Sequence, residues 1–203
     1  MDIYFIRHGQ KTDDTRNHAH LSLTEKGFRQ ADRTGRRLEG LGIQAVICSD
    51  MLRAVQTAQE INKHLDVPMT TDPRFAEIDM GECSGERDWS YIERTYPDFV
   101  AAFALHEEDV PYPLGESGAD VFRRAGAAVE EITRSRQDSV AVVTHGGAIR
   151  VLLCGLLGIP QHRRFYFGHP LVNCSITHVI YEPANGKFYI QSFNDCAHLE
   201  GLD

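Results

Sequence analysis

The stretch that decides the fold is Ile3-Tyr4-Phe5-Ile6-Arg7-His8-Gly9, where four apolar residues lead directly into an arginine, a histidine and a glycine. A short apolar run of this kind predicts a buried strand. Arginine's planar fork binds phosphate oxygens in pairs, and an imidazole beside it is a nucleophile that can accept a phosphoryl group. Glycine lets the backbone approach such a ligand closely. The stretch therefore indicates a phosphate site at the end of a strand.

Three more polar side chains follow predicted strands later in the chain. Arg53 comes after the apolar run 45–49, and His145 comes after the β-branched run 140–143. Glu77 follows a shorter predicted strand and a turn signal. In open α/β sheets the ligand site lies beyond the carboxyl ends of the strands. We therefore expect these side chains to converge with the first strand's arginine and histidine.

Strand and helix patterns alternate along most of the chain, which predicts an α/β fold with three α/β/α layers around a mostly parallel sheet. Residues 175–182 and 187–193 are strand-like and are joined by a hairpin signal, so an antiparallel edge strand is expected near the C-terminus. Residues 1–203 are expected to form a single domain, in which the segment 81–116 has little strand pattern and is predicted to be a lid.

Two helix predictions bear on the site. The first helix is expected to begin at Ser22 or Thr24 and to present one apolar face, made of Phe28, Ala31, Gly35 and Leu38. The last is expected to run from about Ala148 to Leu157.

Composition excludes several classes of protein. The chain has 203 residues and a formal net charge of −8, which argues against nucleic-acid binding because such proteins need a basic footprint. It has no apolar stretch of the ~18 residues that a membrane span needs, and no basic region followed by an apolar run at the amino terminus. Its five cysteines are widely spaced, as in a reducing compartment. We therefore expect a cytoplasmic protein whose partner is a small phosphorylated metabolite, with no nucleic acid and no membrane.

Several short motifs occur in a fixed order along nearly the whole chain. They are Ile6-Arg7-His8-Gly9, Leu23-Thr24 with Gly27, Cys48-Ser49-Asp50 with Arg53-Ala54 and Thr57-Ala58, Glu77 with Gly81 and Gly85, Gly115-Glu116-Ser117, and Thr144-His145-Gly146-Gly147. In this order the chain resembles the histidine phosphatase superfamily, which includes phosphoglycerate mutases and many small bacterial phosphatases. The motifs around residues 173–176 and 193–199 look more like the α-ribazole and broad-specificity phosphatase branch than like the mutases.

The resemblance implies a mechanism. His8 would be the nucleophile and form a phosphohistidine that water then hydrolyses. Arg7, Arg53 and His145 would hold the phosphoryl oxygens. Glu77 would protonate the leaving alcohol and later take a proton from the attacking water. No metal or other cofactor is implied.

The glycines after His145 give this phosphate site a further expected component. Gly146 and Gly147 open the predicted last helix, and their N–H groups at the positive helix end would add to the anion site.

Two assignments have competitors in the sequence. Spacing alone leaves the acid role open between Glu77, Asp79 and Glu82, and only the match to the family pattern selects Glu77. His18 and His20, with His162 or His169, suggest zinc, but the tightly spaced cysteines or second fixed pair of a structural zinc site are missing. The remaining histidines are expected to be structural.

The loop after the nucleophile departs from the family pattern. Lys11 stands where threonine is common, and Asp14 stands where an asparagine usually helps to hold the phosphate. A carboxylate there would repel a dianion. Either Asp14 turns away, Asn17 replaces it, or the loop 11–20 is shifted.

Three functions remain open at this point: a phosphomonoesterase, an isomerase of the phosphoglycerate mutase kind, and a catalytically silent binder of phosphorylated ligands. A mutase must hold a second phosphate and needs basic residues in its lid, whereas acidic residues outnumber basic ones between residues 88 and 109. Hydrolysis of a singly phosphorylated substrate is therefore favoured.

Overall fold

The computed structural model describes residues 1–13, 20–84, 88–168 and 170–202. One sheet holds six strands in the order β3-β2-β4-β1-β5-β6. The strands are β1 (Asp2–Arg7), β2 (Ala45–Cys48), β3 (Met69–Thr71), β4 (Ser139–Thr144), β5 (Ile176–Glu182) and β6 (Lys187–Asp195). The first four pair in parallel, whereas β5 pairs antiparallel with both β1 and β6. The predicted α/β fold with an antiparallel edge is confirmed.

Helices cover both faces of this sheet. They are α1 (Glu25–Leu38), α2 (Leu52–Leu65), α3 (Trp89–Thr95), α4 (Pro97–Leu105), α5 (Gly118–Thr133) and α6 (Gly146–Leu156). Alternate residues of β1 point to opposite faces: Ile3 and Phe5 pack with α5 and α6, and Tyr4 and Ile6 pack with α1 and α2. The strand is buried on both faces, which is why it is apolar throughout.

The start of α1 is set by Thr24, one of the two predicted caps, whose side chain accepts a hydrogen bond from Gly27 N. The predicted apolar face of α1 is wrong at one position, because Phe28 is 37% exposed. The buried side instead includes Gly27, Ala31, Thr34 and Leu38. Helix α6 begins at Gly146, two residues before the predicted start.

All five cysteines are free thiols. Within the described ranges, no helix is long and apolar enough to cross a bilayer.

Candidate active site

The carboxyl ends of β1, β2 and β4 deliver the predicted residues to one edge of the sheet. His8 follows β1, Arg53 lies in the first turn of α2 after β2, and His145 follows β4 directly. A cavity of about 360 Å³ opens there, and Arg7, His8, Arg53 and Glu77 all line it. The fully buried ring of His145 lies beside that of His8, with 5.1 Å between the ring centroids. Four of the five side chains assigned from the sequence thus line this cavity, and the fifth, His145, packs beside His8.

Hydrogen bonds fix the tautomer of His8. Arg53 Nε can only donate, and it lies 3.2 Å from His8 Nε2, so Nε2 must be the acceptor. The ring proton is then on Nδ1, which donates to Gly9 O at 2.7 Å. The backbone is held as well, since His8 N donates to Thr144 O at 2.9 Å and the Asn173 amide donates to His8 O at 2.8 Å. The Nε2 lone pair therefore faces the arginine.

The surroundings of His8 keep it uncharged. Burial, aided by the nearby Arg53 and Arg7 guanidinium groups, lowers the pKa of His8 from 6.5 to about 3. Burial also lowers the pKa of His145 well below its usual value, and the charge of Arg53 acts in the same direction. Both imidazoles are therefore neutral at physiological pH.

Arg53 is a buried arginine in the first turn of a helix, only 6% exposed. Burial lowers its pKa, while the Glu77 carboxylate opposes that shift. Thr57, one turn later, donates to Arg53 O at 2.6 Å and accepts from Gly9 N at 3.0 Å. Helix α2 is thus hydrogen-bonded to the loop that carries His8.

Two buried polar atoms beside His8 have no hydrogen-bond partner among the described residues: Arg7 Nε and His145 Nδ1. The Arg7 side chain is held by a bond from Nη1 to Leu171 O. His145 Nε2 lies 2.9 Å from Ser49 Oγ, whose own position is fixed by a bond from Met51 N. A neutral His145 that accepts from Ser49 through Nε2 carries its proton on Nδ1. Both atoms are then donors in need of an acceptor.

The Glu77 side chain lies against the first turn of α6. Its carboxylate accepts hydrogen bonds from Gly147 N at 3.2 Å and from Ala148 N at 3.0 Å. The predicted helix-end anion site is therefore partly used within the protein, because the Gly147 N–H goes to Glu77. Gly147 is also needed for packing, since a Cβ on it would lie 2.4 Å from Glu77 Oε1. On Gly146 a Cβ would only reach ordinary contact, 3.5 Å from Arg7 Nε.

The competitors for the acid role have different surroundings. Asp79 shares the cavity wall with Glu77, but its carboxylate accepts from Gly81 N at 2.8 Å, within its own turn. Glu82 is not among the residues that line the cavity. The charge of Glu77 raises the pKa of both Arg7 and Arg53, so this carboxylate is close enough to interact with both arginines.

Sequence reasoning missed Arg124, on α5. Its guanidinium donates to Arg74 O, Ala76 O and Glu77 O at 2.7 to 3.0 Å. It also forms a two-pronged ion pair with Glu116, with both N···O distances at 2.8 Å. Nothing in the sequence marks this arginine, because it is one of several charged residues on an amphipathic helix. The nearest signal is the Gly115-Glu116-Ser117 motif.

Arg150, on α6, was also missed. It lines a smaller cavity of about 210 Å³ that adjoins the first and shares Glu77, Ile78 and Met80 with it. Its Nε donates to Phe167 O at 2.8 Å and its Nη2 donates to Gly168 O. Tyr112 and Phe165 also line this cavity.

The loop after the nucleophile is described only in part. Lys11 lines the main cavity, and His20 is exposed. Asp14, Asn17 and His18 lie outside the described residues, as do Gly85 and His169.

Other histidines have local partners. His64 bonds to Asp32 and Glu39, and His178 bonds to Asp2. In the part of the chain that the structure describes, no group of three or more histidine, cysteine or acidic side chains is placed to hold a metal ion.

The chain belongs to the histidine phosphatase superfamily (branch 1), whose family model matches residues 3–196. It is 32% identical over 211 aligned positions to a Yersinia pestis protein named probable phosphoglycerate mutase GpmB, covering 98% of this chain and 95% of that protein. The structure of mycobacterial glucosyl-3-phosphoglycerate phosphatase with inorganic phosphate superposes with a TM-score of 0.83 at 26% identity, covering 97% of this chain and 98% of the other.

The Escherichia coli protein described as a putative α-ribazole-5′-P phosphatase shares the fold, with a TM-score of 0.80 at 20% identity and 96% coverage of both chains. The family resemblance inferred from the motifs is confirmed, and relatives with mutase and phosphatase names both occur.

Proposed function

We propose that this protein is a phosphomonoesterase that hydrolyses a small phosphorylated metabolite through a phosphohistidine on His8. The observation that carries the proposal is the pair of buried nitrogen atoms without hydrogen-bond partners, Arg7 Nε and His145 Nδ1, in the two residues next to a neutral His8. A phosphoryl group offers acceptor oxygens to both donors and an electrophilic phosphorus to the imidazole. Buried polar groups are rarely left unpaired, so a ligand with this chemistry fits the site.

In the first step, His8 Nε2 attacks phosphorus and the bond to the leaving oxygen breaks. The Nε2 lone pair is available because the proton is on Nδ1, where Gly9 O holds it. Arg53, which donates to Nε2 before substrate binds, would turn its N–H groups to the phosphoryl oxygens. Arg7 and Arg53 would then offset the charge that spreads over these oxygens in the transition state.

Glu77 would supply the proton that the leaving alcohol needs. In the second step it would take a proton from water as that water attacks the phosphohistidine, which releases inorganic phosphate and neutral His8. Glu77 lines the same cavity as His8, and its hydrogen bonds to α6 hold the carboxylate at the cavity wall. The main-chain N–H of Gly146 is proposed as a further phosphate donor. No step requires a metal ion.

Charge in the segment 81–116 favours hydrolysis over isomerisation. Acidic residues outnumber the basic ones there, so the segment has little of the positive charge that would hold a second phosphate. We propose this segment as a lid over the site. Its Asp109 pairs with Arg164 at 2.5 Å and accepts hydrogen bonds from Gly118 N and Ala119 N at the start of α5. The end of the lid nearest α5 is therefore anchored to that helix.

One specific observation supports the alternative hypothesis of a mutase: a relative of this chain is named as a probable phosphoglycerate mutase. The two activities differ in their products: 3-phosphoglycerate would yield inorganic phosphate with a phosphatase and 2-phosphoglycerate with a mutase.

We further propose one domain over residues 1–203 and a cytoplasmic location, supported by the single sheet and the five free thiols.

The proposal is tested by trapping the intermediate. Acid-labile, alkali-stable label from a phosphorylated substrate should appear on His8 when the reaction is stopped early. His8→Ala should lose both the label and turnover. Full turnover in His8→Ala would refute the mechanism.

The same assay after treatment with EDTA serves as a control for metal chemistry. Turnover should be unchanged, since charge stabilisation is assigned to side chains. If activity is lost and zinc or manganese restores it, the histidines would instead be assigned as metal ligands.

A further inference from the structure

We infer that Arg124, together with Glu116, is the positioning residue for the proposed acid Glu77. This inference rests on the proposed function for its catalytic meaning, but the contacts that carry it do not. Arg124 reaches neither the cavity around His8 nor the smaller one beside it. It would act through the backbone that carries Glu77.

Arg124 holds the backbone segment that carries Glu77. Residues 73–75 form a short 3₁₀ turn, and 76–80 have no regular structure, so no helix or sheet bond fixes the backbone of Glu77. Arg124 supplies the missing bonds, because it donates to the carbonyl oxygens of Arg74, Ala76 and Glu77 at 2.7, 2.9 and 3.0 Å. Three carbonyls in four residues are thus tied to one guanidinium on a long helix.

Arg124 is itself held by Glu116. Glu116 accepts from the two remaining N–H groups of the guanidinium, on Nε and Nη2, at 2.8 Å each. Both side chains are largely buried, at 22% and 25% exposure. Planar bidentate pairing of this kind fixes orientation as well as position. A lysine at position 124 keeps the charge but cannot make five hydrogen bonds in one plane.

Glu116 also connects Arg124 to the lid. Glu116 Oε2 also accepts from Asp79 N at 3.0 Å, and Glu116 N donates to Asp79 O at 2.8 Å. Glu82 N donates to Pro113 O at 2.9 Å. Both ends of the segment 81–116 are thus joined to each other beside Glu77. Arg124 therefore fixes the position of Glu77 relative to the two ends of the lid.

A residue that acts only through Glu77 should reproduce the substrate preference of a Glu77 variant. On an alkyl phosphate, whose leaving group needs a proton, Arg124→Ala should lower kcat at least about tenfold, part of the roughly 10²- to 10⁴-fold that a positioned acid supplies. On p-nitrophenyl phosphate, whose leaving group needs little protonation, the loss should be several times smaller. KM should change little on both substrates.

A double-mutant cycle on the alkyl ester gives the sharper test. If Arg124 acts through Glu77, the variant carrying both Arg124→Ala and Glu77→Gln should be no slower than Glu77→Gln alone, within about twofold. Losses that multiply, or equal losses on both esters, overturn the inference. Arg124→Lys should recover part of the loss. Glu116→Gln keeps the shape of the partner and should give a weaker form of the same selective loss.

A matched control comes from the neighbouring residue. Arg123 is an exposed arginine on the same helix that pairs with Asp120 on the surface. Arg123→Ala should leave both rates unchanged. If Arg124→Ala does not fold, the comparison of Arg124→Lys and Glu116→Gln with Arg123→Ala decides the question by the same ratio of rates.

A second readout does not depend on any activity. The N–H groups of Gly147 and Ala148 lie in the first turn of α6, where no helix carbonyl is available, and they bond to the Glu77 carboxylate. Their hydrogen exchange should quicken at least about tenfold in Arg124→Ala, as in Glu77→Ala, and stay unchanged in Arg123→Ala. Unchanged exchange in Arg124→Ala overturns the inference. If no ester is hydrolysed by the wild type, the proposed function fails while this measurement still decides the positioning role.

Discussion

Single residues in this site are governed by the cost of burying charge. Arg7 and Arg53 are both largely buried, and burial lowers the pKa of each. A bound phosphoryl dianion would return the electrostatic stabilisation that burial removes. The neutral His8 near them avoids a third positive charge. This balance of charge supports the proposed phosphate site.

Roles that act on different atoms of the substrate should separate in kinetics. Glu77→Gln cannot protonate a leaving group, so we expect a loss of ~100-fold or more on an alkyl phosphate and a clearly smaller loss on p-nitrophenyl phosphate. Arg53→Ala should reduce both alike, since it would hold the phosphoryl group they share. Measuring kcat/KM for two esters on two variants tests this. An equal loss in Glu77→Gln on both esters would transfer the acid role to Asp79 or Glu82.

Among the elements, the start of α6 has a steric requirement that involves Glu77 directly. Gly147 brings the helix backbone against the Glu77 carboxylate, where a Cβ would lie 2.4 Å from Oε1 and 3.1 Å from Ile78 Cγ2. Real Cβ contacts are not that short, so either the carboxylate or the first turn must move. The helix end and the acid are therefore one structural unit.

Gly147→Ala should displace that carboxylate. We expect turnover on an alkyl phosphate to fall about tenfold or more, by loss of a positioned acid, with a smaller effect on p-nitrophenyl phosphate. Gly146→Ala is the matched variant, because its Cβ would meet Arg7 Nε at an ordinary 3.5 Å, and it should lose less. Steady-state rates of both variants on both esters provide the check. Equal behaviour of the two alanines would contradict the steric argument.

Sequence patterns predicted the elements better than their contacts. The buried runs of β1 and β4 have no competing interpretation, and the residues that follow them were placed correctly. Helix α6 was started two residues late because Gly146 and Gly147 carry no apolar signal. Phe28 was placed inward because it is apolar, although the buried side of α1 runs through its neighbour Gly27. Arg124 was missed because its partners are main-chain carbonyls, which leave no trace in a pattern of side chains.

At the scale of the whole molecule, the topology brings the site together. Arg7, Arg53 and His145 are distant in sequence, but β1, β4 and β2 are neighbours in the sheet and parallel, so their carboxyl ends meet. The sequence indicated this edge as the site without giving the order of the strands. Helical crossovers permit several orders, and the pairing is decided by how α1, α2, α5 and α6 pack on the two faces.

The buried imidazoles also make the stability of the fold depend on pH. The pKa of His8 is about 3 in the folded protein and 6.5 when unperturbed, so between these values the unfolded chain binds the extra proton. Stability therefore rises with pH across this window: the contribution of a neutral His8 is complete above pH 6.5 and is lost as pH falls toward 3. His145, whose pKa is lowered in the same direction, adds to the effect.

We expect His8→Gln, which cannot titrate, to show a shallower loss of stability on acidification than the wild type. One such group changes the free energy of unfolding by up to about 1.4 kcal/mol per pH unit, so the difference between the two slopes should approach that value between pH 4 and 6. Urea unfolding at pH 4, 5, 6 and 7 measures both slopes, and contributions of the carboxylates cancel in the comparison. His20→Gln, at an exposed histidine, should follow the wild type. Parallel curves for His8→Gln and the wild type would mean that His8 titrates normally in the folded protein, and its place as a neutral nucleophile would then be wrong.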